Sequence, residues 1–245
     1  MMKHCMIDYG LVGQAQTFYK ALGYINLDLP WLVSPQAIVA TLPAGKKIFQ
    51  SNFGCLVGSG EQSFIQMMMD GTLKPGKYQT TTPCFRDEEP ISEFSRLNFL
   101  KTELIWYMPD VELKVAYDKV LNDALSCFFE ISHADTLDAV QTSEGFDICC
   151  NGIELGSYGV RKMGEHTWVF GTGLAEPRFS MTVNRRLTPE ILEKQRADEL
   201  EQERLEHEAM HLAGHAHSHD PNGILLDHNH EPISEQEETS VAQES

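Results

Sequence analysis

The stretch CFRDEEPISEFSRLNF, residues 84–99, gathers Arg86, Glu88, Phe94, Arg96 and Asn98 into a short span. Each of these types has a defined chemical capacity. A guanidinium binds phosphate bidentately, a carboxylate accepts from a purine amino group, and an aromatic ring stacks on a base. If the flanking segments are strands of one hairpin, alternate side chains share a face. Arg86 and Glu88 then lie together, and Arg96, Asn98 and Leu100 lie together on the returning strand. That set is sufficient to hold ATP in an extended groove, although by composition the same loop also reads as a solvated hairpin tip. A second stretch, VFGTGLAEPRFSM, places Gly171 and Gly173 where the backbone can come close to a ligand. Glu176 and Arg178 follow in what reads as the first turn of a helix, where the positive dipole end favours anions. An ordinary glycine-rich strand-to-helix turn has the same pattern.

These residues need elements to hold them. Leu11, Ala15, Phe18, Tyr19 and Leu22 recur at helical spacing and predict a helix over 11–22, ended by Gly23. YINLDLPWLVS alternates apolar and polar residues and predicts a strand interrupted by Pro30. EQSFIQMMMDG predicts a short helix closed at Asp70-Gly71, with Met67, Met68 and Met69 in the core. YQTTTPCFRDE and EFSRLNFLKTELIWYM predict two strands joined by the charged loop, and residues 110–128 predict an amphipathic helix. FFEISHADTLDAV, FDICCNGIELGSYGV and HTWVFGTG predict further strands, and LAEPRFSMTVNRR begins a closing helix. Strands in hairpin-like succession point to an α+β fold, an antiparallel sheet flanked by helices.

The net charge of −17 is unevenly placed: residues 189–245 hold 15 acidic and 3 basic side chains, leaving 21 acidic and 16 basic in 1–188. Neither part carries the clustered Lys and Arg of a nucleic-acid surface. We expect a folded domain over 1–187, a charged helix over 188–214 and a disordered, His-rich acidic tail over 215–245. Within that region HEAMH, residues 207–211, matches the HExxH pattern of zinc proteases. No domain surrounds it to form a cleft, so a solvated tail is the expectation. The alternative is loose divalent-metal binding by His207, His211, His215, His217 and His219. His133, His166, Cys149 and Cys150 read as structural, whereas Asp135 and Asp138 fit either a strand-end cap or a substrate pocket. No apolar run reaches the ~18 residues of a membrane helix, and the first residues lack a signal-peptide layout. Six cysteines without a CxxC pair suit a reduced, cytoplasmic compartment.

Taken in order, ALGYINLDLPWLVS, CFRDE with EFSRLNF, and GTGLAEPRF resemble the three signature motifs of class II aminoacyl-tRNA synthetase catalytic domains. SEFSRLNF looks like the EEFTMLNF of pyrrolysyl enzymes, and HADTLDAV resembles their YGDTLDVM. IELGSYGV is similar to the Glu-Leu-Ser-Ser strand that follows there. The resemblance is to the phenylalanyl, pyrrolysyl and phosphoseryl subgroup and covers residues 11–187. It implies ATP-dependent activation of an amino acid as its adenylate and transfer to an acceptor, tRNA or another molecule. A catalytically silent paralogue with a regulatory role is the other reading. Carried over by position, Arg86 holds the ATP α-phosphate and the amino-acid carboxylate, Glu88 reads the adenine amino group, and Phe94 stacks on adenine. Arg178 takes the other face of adenine and the γ-phosphate, with Gly173 beside the nucleotide. Glu154 and Ser157 coordinate Mg²⁺. Asn98 faces the amino acid. Arg96 lies on the same parity, either reading an acidic substrate or supplying the triphosphate contact that a histidine makes in pyrrolysyl enzymes. The resemblance also implies a homodimer through residues 11–34. The sequence departs from the family in its short DEEPIS loop and in Pro177, where an acidic residue is usual.

Overall fold

The computed structural model describes residues 7–43, 45–88, 91–92, 94–108, 112–132 and 136–183. Helix α1, Tyr9–Ala21, starts where the Asp8 carboxylate accepts from the N–H groups of Gly10 and Leu11 at 2.9 and 3.1 Å. It ends in a Schellman turn: the Tyr24 N–H donates to the Tyr19 carbonyl and the Gly23 N–H to the Lys20 carbonyl, both at 3.0 Å. Gly23 takes φ +87°, which a side chain would resist. The next segment breaks at Pro30 as expected, into β1 (Ile25–Asn26) and β2 (Leu32–Val33), which join different sheets. Ser34 caps α2 (Pro35–Val39), and β3 (Gln50–Ser51) and β4 (Gly54–Leu56) complete a small sheet in the order β2-β4-β3. Helix α3 (Gly60–Met69) closes at Asp70-Gly71. Met68 lies in the core, while Met69 faces solvent.

Two ten-residue strands follow, β5 (Gly76–Phe85) and β6 (Asn98–Tyr107), paired antiparallel from Gly76↔Tyr107 to Phe85↔Asn98. Helix α4 (Leu113–Ser132) runs four residues past its expected end. The segment from Phe128, expected as a strand, therefore begins as helix, and strand β7 covers only Asp138–Gln141. The stretch expected as one strand over 146–160 is a hairpin of β8 (Gly145–Cys150) and β9 (Ile153–Met163). Its turn is Asn151-Gly152 with φ +54° and +72°, the left-handed pair that matches the twist of two-residue hairpins. Strand β10 (His166–Glu176) runs to Glu176, so helix α5 starts only at Arg178 and spans Arg178–Val183 among the described residues.

The large sheet has the order β1-β5-β6-β10-β9-β8-β7, antiparallel except for β1 against β5. Helices α1, α4 and α5 cover one face, burying Ala15, Tyr19, Val120, Phe128, Tyr158, Leu174 and Phe179. The other face packs Ile105, Trp168 and Phe170 against Ile38, Phe64 and Ile65 of α2 and α3. Each large side chain so buried contributes about 1.5–3 kcal/mol. Contacts divide the chain into two units, Met1–Arg186 and Leu187–Ser245. The second lies outside the described residues, and with it the expected helix over 188–214, the tail over 215–245 and the HExxH segment. His133 and Asp135 also lie outside them.

Candidate functional site

On the α2–α3 face, where the central strands run past those helices, the sheet floors a cavity of about 500 Å³. Four separated segments wall it: residues 40–43 and 46–49 between α2 and β3, the start of α3, the connection between β5 and β6, and the strands β9 and β10 with the start of α5.

The outer half is cationic and carboxylate-studded. The Nε of Arg86 donates to the Gly58 carbonyl at 2.9 Å, and its guanidinium sits 5.0 Å above the ring of Phe99. That stack and hydrogen bond fix the group at the end of β5. Glu88 lies 3.6 Å from Lys46, whose ammonium also donates to the Asp87 carbonyl at 2.8 Å. Across the cavity Arg178 lies 3.3 Å from Glu154 and donates from Nε and a terminal nitrogen to the Phe94 carbonyl, both at 3.3 Å. Arg178 thereby ties the loop after β5 to α5. Ser157 lines the cavity two places after Leu155 on β9, and Asp147 stands opposite it in register on β8. Burial raises the pKa of the Asp147 carboxyl, and the neighbouring Ser157 hydroxyl opposes that rise.

The inner half holds buried charge. Glu103, fully buried, lies 3.0 Å from Lys101 and accepts from the Ser59 hydroxyl at 2.5 Å. Glu61, in the first turn of α3, accepts from Trp168 at 2.7 Å and is ion-paired with Arg161. Arg161 also reaches Glu144 at 2.7 Å and stacks 4.0 Å over Phe170. Burial pushes the Glu61 carboxyl up to about 7, against the opposing pull of Arg161.

Of the residues expected from sequence, Arg86, Glu88, Phe94, Arg96, Glu154, Ser157 and Arg178 all line this one cavity. Asn98 and Gly173 do not. The odd-numbered positions of β6, Phe99 and Lys101, line the cavity, while Leu100 packs against the helix-covered core and Asn98 is exposed. Arg96 reaches the cavity because it precedes the strand and escapes its alternation. Gly171 and Gly173 also belong to the helix-covered face. A Cβ on Gly171 would lie 2.6 Å from the Tyr158 ring, and one on Gly173 2.9 Å from the Tyr19 ring. These glycines admit aromatic side chains, not a ligand. Glu176 ends β10 instead of starting a helix, and its carboxylate caps α5 through the Ser180 N–H at 2.9 Å. Sequence reasoning passed over Lys46, Glu61, Phe99, Lys101 and Arg161. For Lys101 and Glu103 a signal existed, since two opposite charges spaced by two inside an apolar strand must share a face. Glu61 and Arg161 meet from 100 residues apart and leave no local sign.

No family model and no curated protein matches the sequence. Solved structures do match. Pyrrolysyl-tRNA synthetase from Desulfitobacterium hafniense superposes with TM-score 0.57 at 14% identity, over 71% of this chain and 68% of that one. Seryl-tRNA synthetase from Pyrococcus horikoshii complexed with ATP gives 0.59 at 16%, over 77% and 54%. The cytoplasmic serine-tRNA ligase of Naegleria fowleri in complex with AMP gives 0.55 at 15%, over 76% and 57%.

Proposed function

We propose that this chain, which has the class II aminoacyl-tRNA synthetase catalytic fold, activates an amino acid with ATP as an aminoacyl adenylate and transfers the acyl group to tRNA. The carrying observation is convergence. Arg86, Glu88, Phe94, Glu154, Ser157 and Arg178 come from separate segments and line one cavity. In the proposed reaction an amino-acid carboxylate oxygen attacks the α-phosphorus, and the bond to the bridging oxygen breaks as pyrophosphate leaves with the electron pair. No proton need be transferred, so the site's work is alignment and charge neutralisation. Arg86 holds the α-phosphate and the carboxylate, Arg178 holds the far phosphate and one face of adenine, and Phe94 takes the other face. Glu88 accepts from the adenine amino group. Glu154 and Ser157 offer the hard oxygen donors that suit magnesium, which binds through one or two carboxylates plus phosphate oxygens. When bound there it would neutralise phosphate charge.

ATP–pyrophosphate exchange with Mg²⁺ and a panel of amino acids tests this. Exchange stimulated by one amino acid is expected; none with any, together with no ATP binding by calorimetry, would sink the reading. A non-tRNA acceptor is the second reading, favoured by the excess of acidic over basic side chains in residues 1–188. Transfer assays with tRNA and with small amine acceptors separate the two. We also assign residues 11–34 to a homodimer surface, supported by the exposure of Ile25 and Trp31, 53% and 50%. A monomer by light scattering at micromolar concentration would count against it.

A further inference from the structure

The segment between α2 and β3 lies along the cavity wall and carries two cations that the assigned chemistry leaves unused, Lys46 and Lys47. Lys46 pairs with Glu88 at 3.6 Å and Lys47 with Asp87 at 3.8 Å. A matching pair stands across the cavity, Arg178 with Glu154 at 3.3 Å. The two carboxylates that a bound nucleotide would use, Glu88 for the base and Glu154 for the metal, are thus each held by a cation lining the same cavity. Both pairs are partly solvated: Lys46 and Glu88 are 35% and 26% exposed, Arg178 and Glu154 26% and 45%. Ion pairs in such surroundings are weak and exchange partners at little cost. A polyphosphate offers each cation a stronger, charge-assisted partner. The adenine amino group, conversely, needs the Glu88 carboxylate, one oxygen of which faces Lys46.

We propose that Lys46 is a further triphosphate-binding residue of this site, trading Glu88 for phosphate oxygens as ATP enters and so releasing Glu88 to the base. The inference rests on the ATP reading above. It makes Lys46 and Arg178 equivalent devices, each neutralising an acidic residue until phosphate replaces it. The competing role is mechanical: Lys46 also donates to the Asp87 carbonyl, so it could simply clasp residues 40–49 to the loop after β5. The two roles predict different ligand profiles.

The test is calorimetric binding of ATP and of adenosine, with Mg²⁺ present, to the full chain and to Lys46→Ala, Lys46→Gln and Lys46→Arg. We expect Lys46→Ala and Lys46→Gln to weaken ATP about tenfold, the loss of one charge-assisted contact. Adenosine, which has no phosphate, should bind both variants as well as or better than the full chain, because Glu88 no longer has to be freed. Lys46→Arg keeps the charge and should bind ATP within about twofold of the natural residue. Equal weakening of ATP and adenosine in the Ala and Gln variants would overturn the proposal in favour of the clasp. Unchanged ATP binding in both would overturn it outright. Failure of the unsubstituted chain to bind either ligand would instead remove the ATP reading, and the role of Lys46 with it.

Discussion

The two faces of the large sheet satisfy their buried polar groups in different ways. On the face under α1 and α4, neutral groups bond to one another: Gln16 with Thr81, Thr81 with Thr102, and the Tyr19 hydroxyl with the Gly173 carbonyl, at 2.8 to 2.9 Å. On the cavity face the buried carboxylates Glu103 and Glu61 are held by the cations Lys101 and Arg161, and the pairs Arg161–Glu144 and Arg178–Glu154 lie nearer solvent. Neutral hydrogen bonds under a helix hold the fold together. Buried ion pairs are poor stabilisers, because desolvation offsets most of their attraction. The charged strand side chains Lys101, Glu103 and Arg161 lie on the cavity side, which suits a charged ligand there. Under the helices the one buried carboxylate among the described residues of α4, Asp123, pairs with Lys119 of its own helix and accepts from Tyr24.

The largest effects expected from this contrast fall on the cavity face. Arg86→Ala and Arg178→Ala should each lower ATP–pyrophosphate exchange by about 100-fold, the scale of a charge-stabilising contact in a closed site. Both should keep the circular dichroism and urea midpoint of the parent. Exchange near the parent rate in either variant would show that the cavity face is not organised as argued. On the helix face the sign reverses. Gly171→Ala places a methyl 2.6 Å from the Tyr158 ring and 2.9 Å from Val120. It should cost about 1–3 kcal/mol of stability in urea unfolding, as overpacking does, and leave the ATP affinity of the folded fraction intact. Unchanged stability with lost ATP binding would return this glycine to the ligand side.

Glu61 joins the two concerns, being a cavity residue whose charge bears on stability. Its folded pKa, about 7, is above the ordinary ~4.3 of an unfolded glutamate. The folded state therefore binds the proton more tightly between these values, and stability falls as pH rises from about 5 to 7. Arg161 beside the carboxylate limits the fall, while Glu103 behind it, partly offset by Lys101, adds to it. Glu61→Gln should flatten that slope by an amount on the order of 1 kcal/mol over the window. A pH profile identical to the parent would place the titration elsewhere.

Local patterns were legible to different depths. Helix α1 and its glycine stop, the break at Pro30, and the pair β5–β6 follow from spacing and turn chemistry that act within a few residues. The β8–β9 hairpin was also marked, by Asn151-Gly152, and reading 146–160 as a single strand overlooked the strongest short-range turn signal there is. Parity was a different matter. Which residues of β6 face the ligand depends on where alternation begins, and the irregular connection before Asn98 sets that phase without any local sign. The inner charge network is less legible still, because Glu61 and Arg161 become neighbours only once α3 has packed on β9 and β10.

The smallest expected effect is the most discriminating about phase. Asn98 pairs with Phe85 at the start of β6 and points away from the cavity, whereas Phe99 supports Arg86 within it. Phe99→Ala should weaken ATP by about threefold, the scale of an exposed cation–π contact. Asn98→Ala should alter neither ATP affinity nor the amino-acid concentration for half-maximal exchange by more than about twofold, as exposed substitutions rarely do. The reverse outcome, with Asn98 controlling the amino-acid response and Phe99 inert, would require β6 to slip by one residue. Every side chain on it would then change face, and Lys101 and Glu103 would be driven into the largely apolar core under α1 and α4.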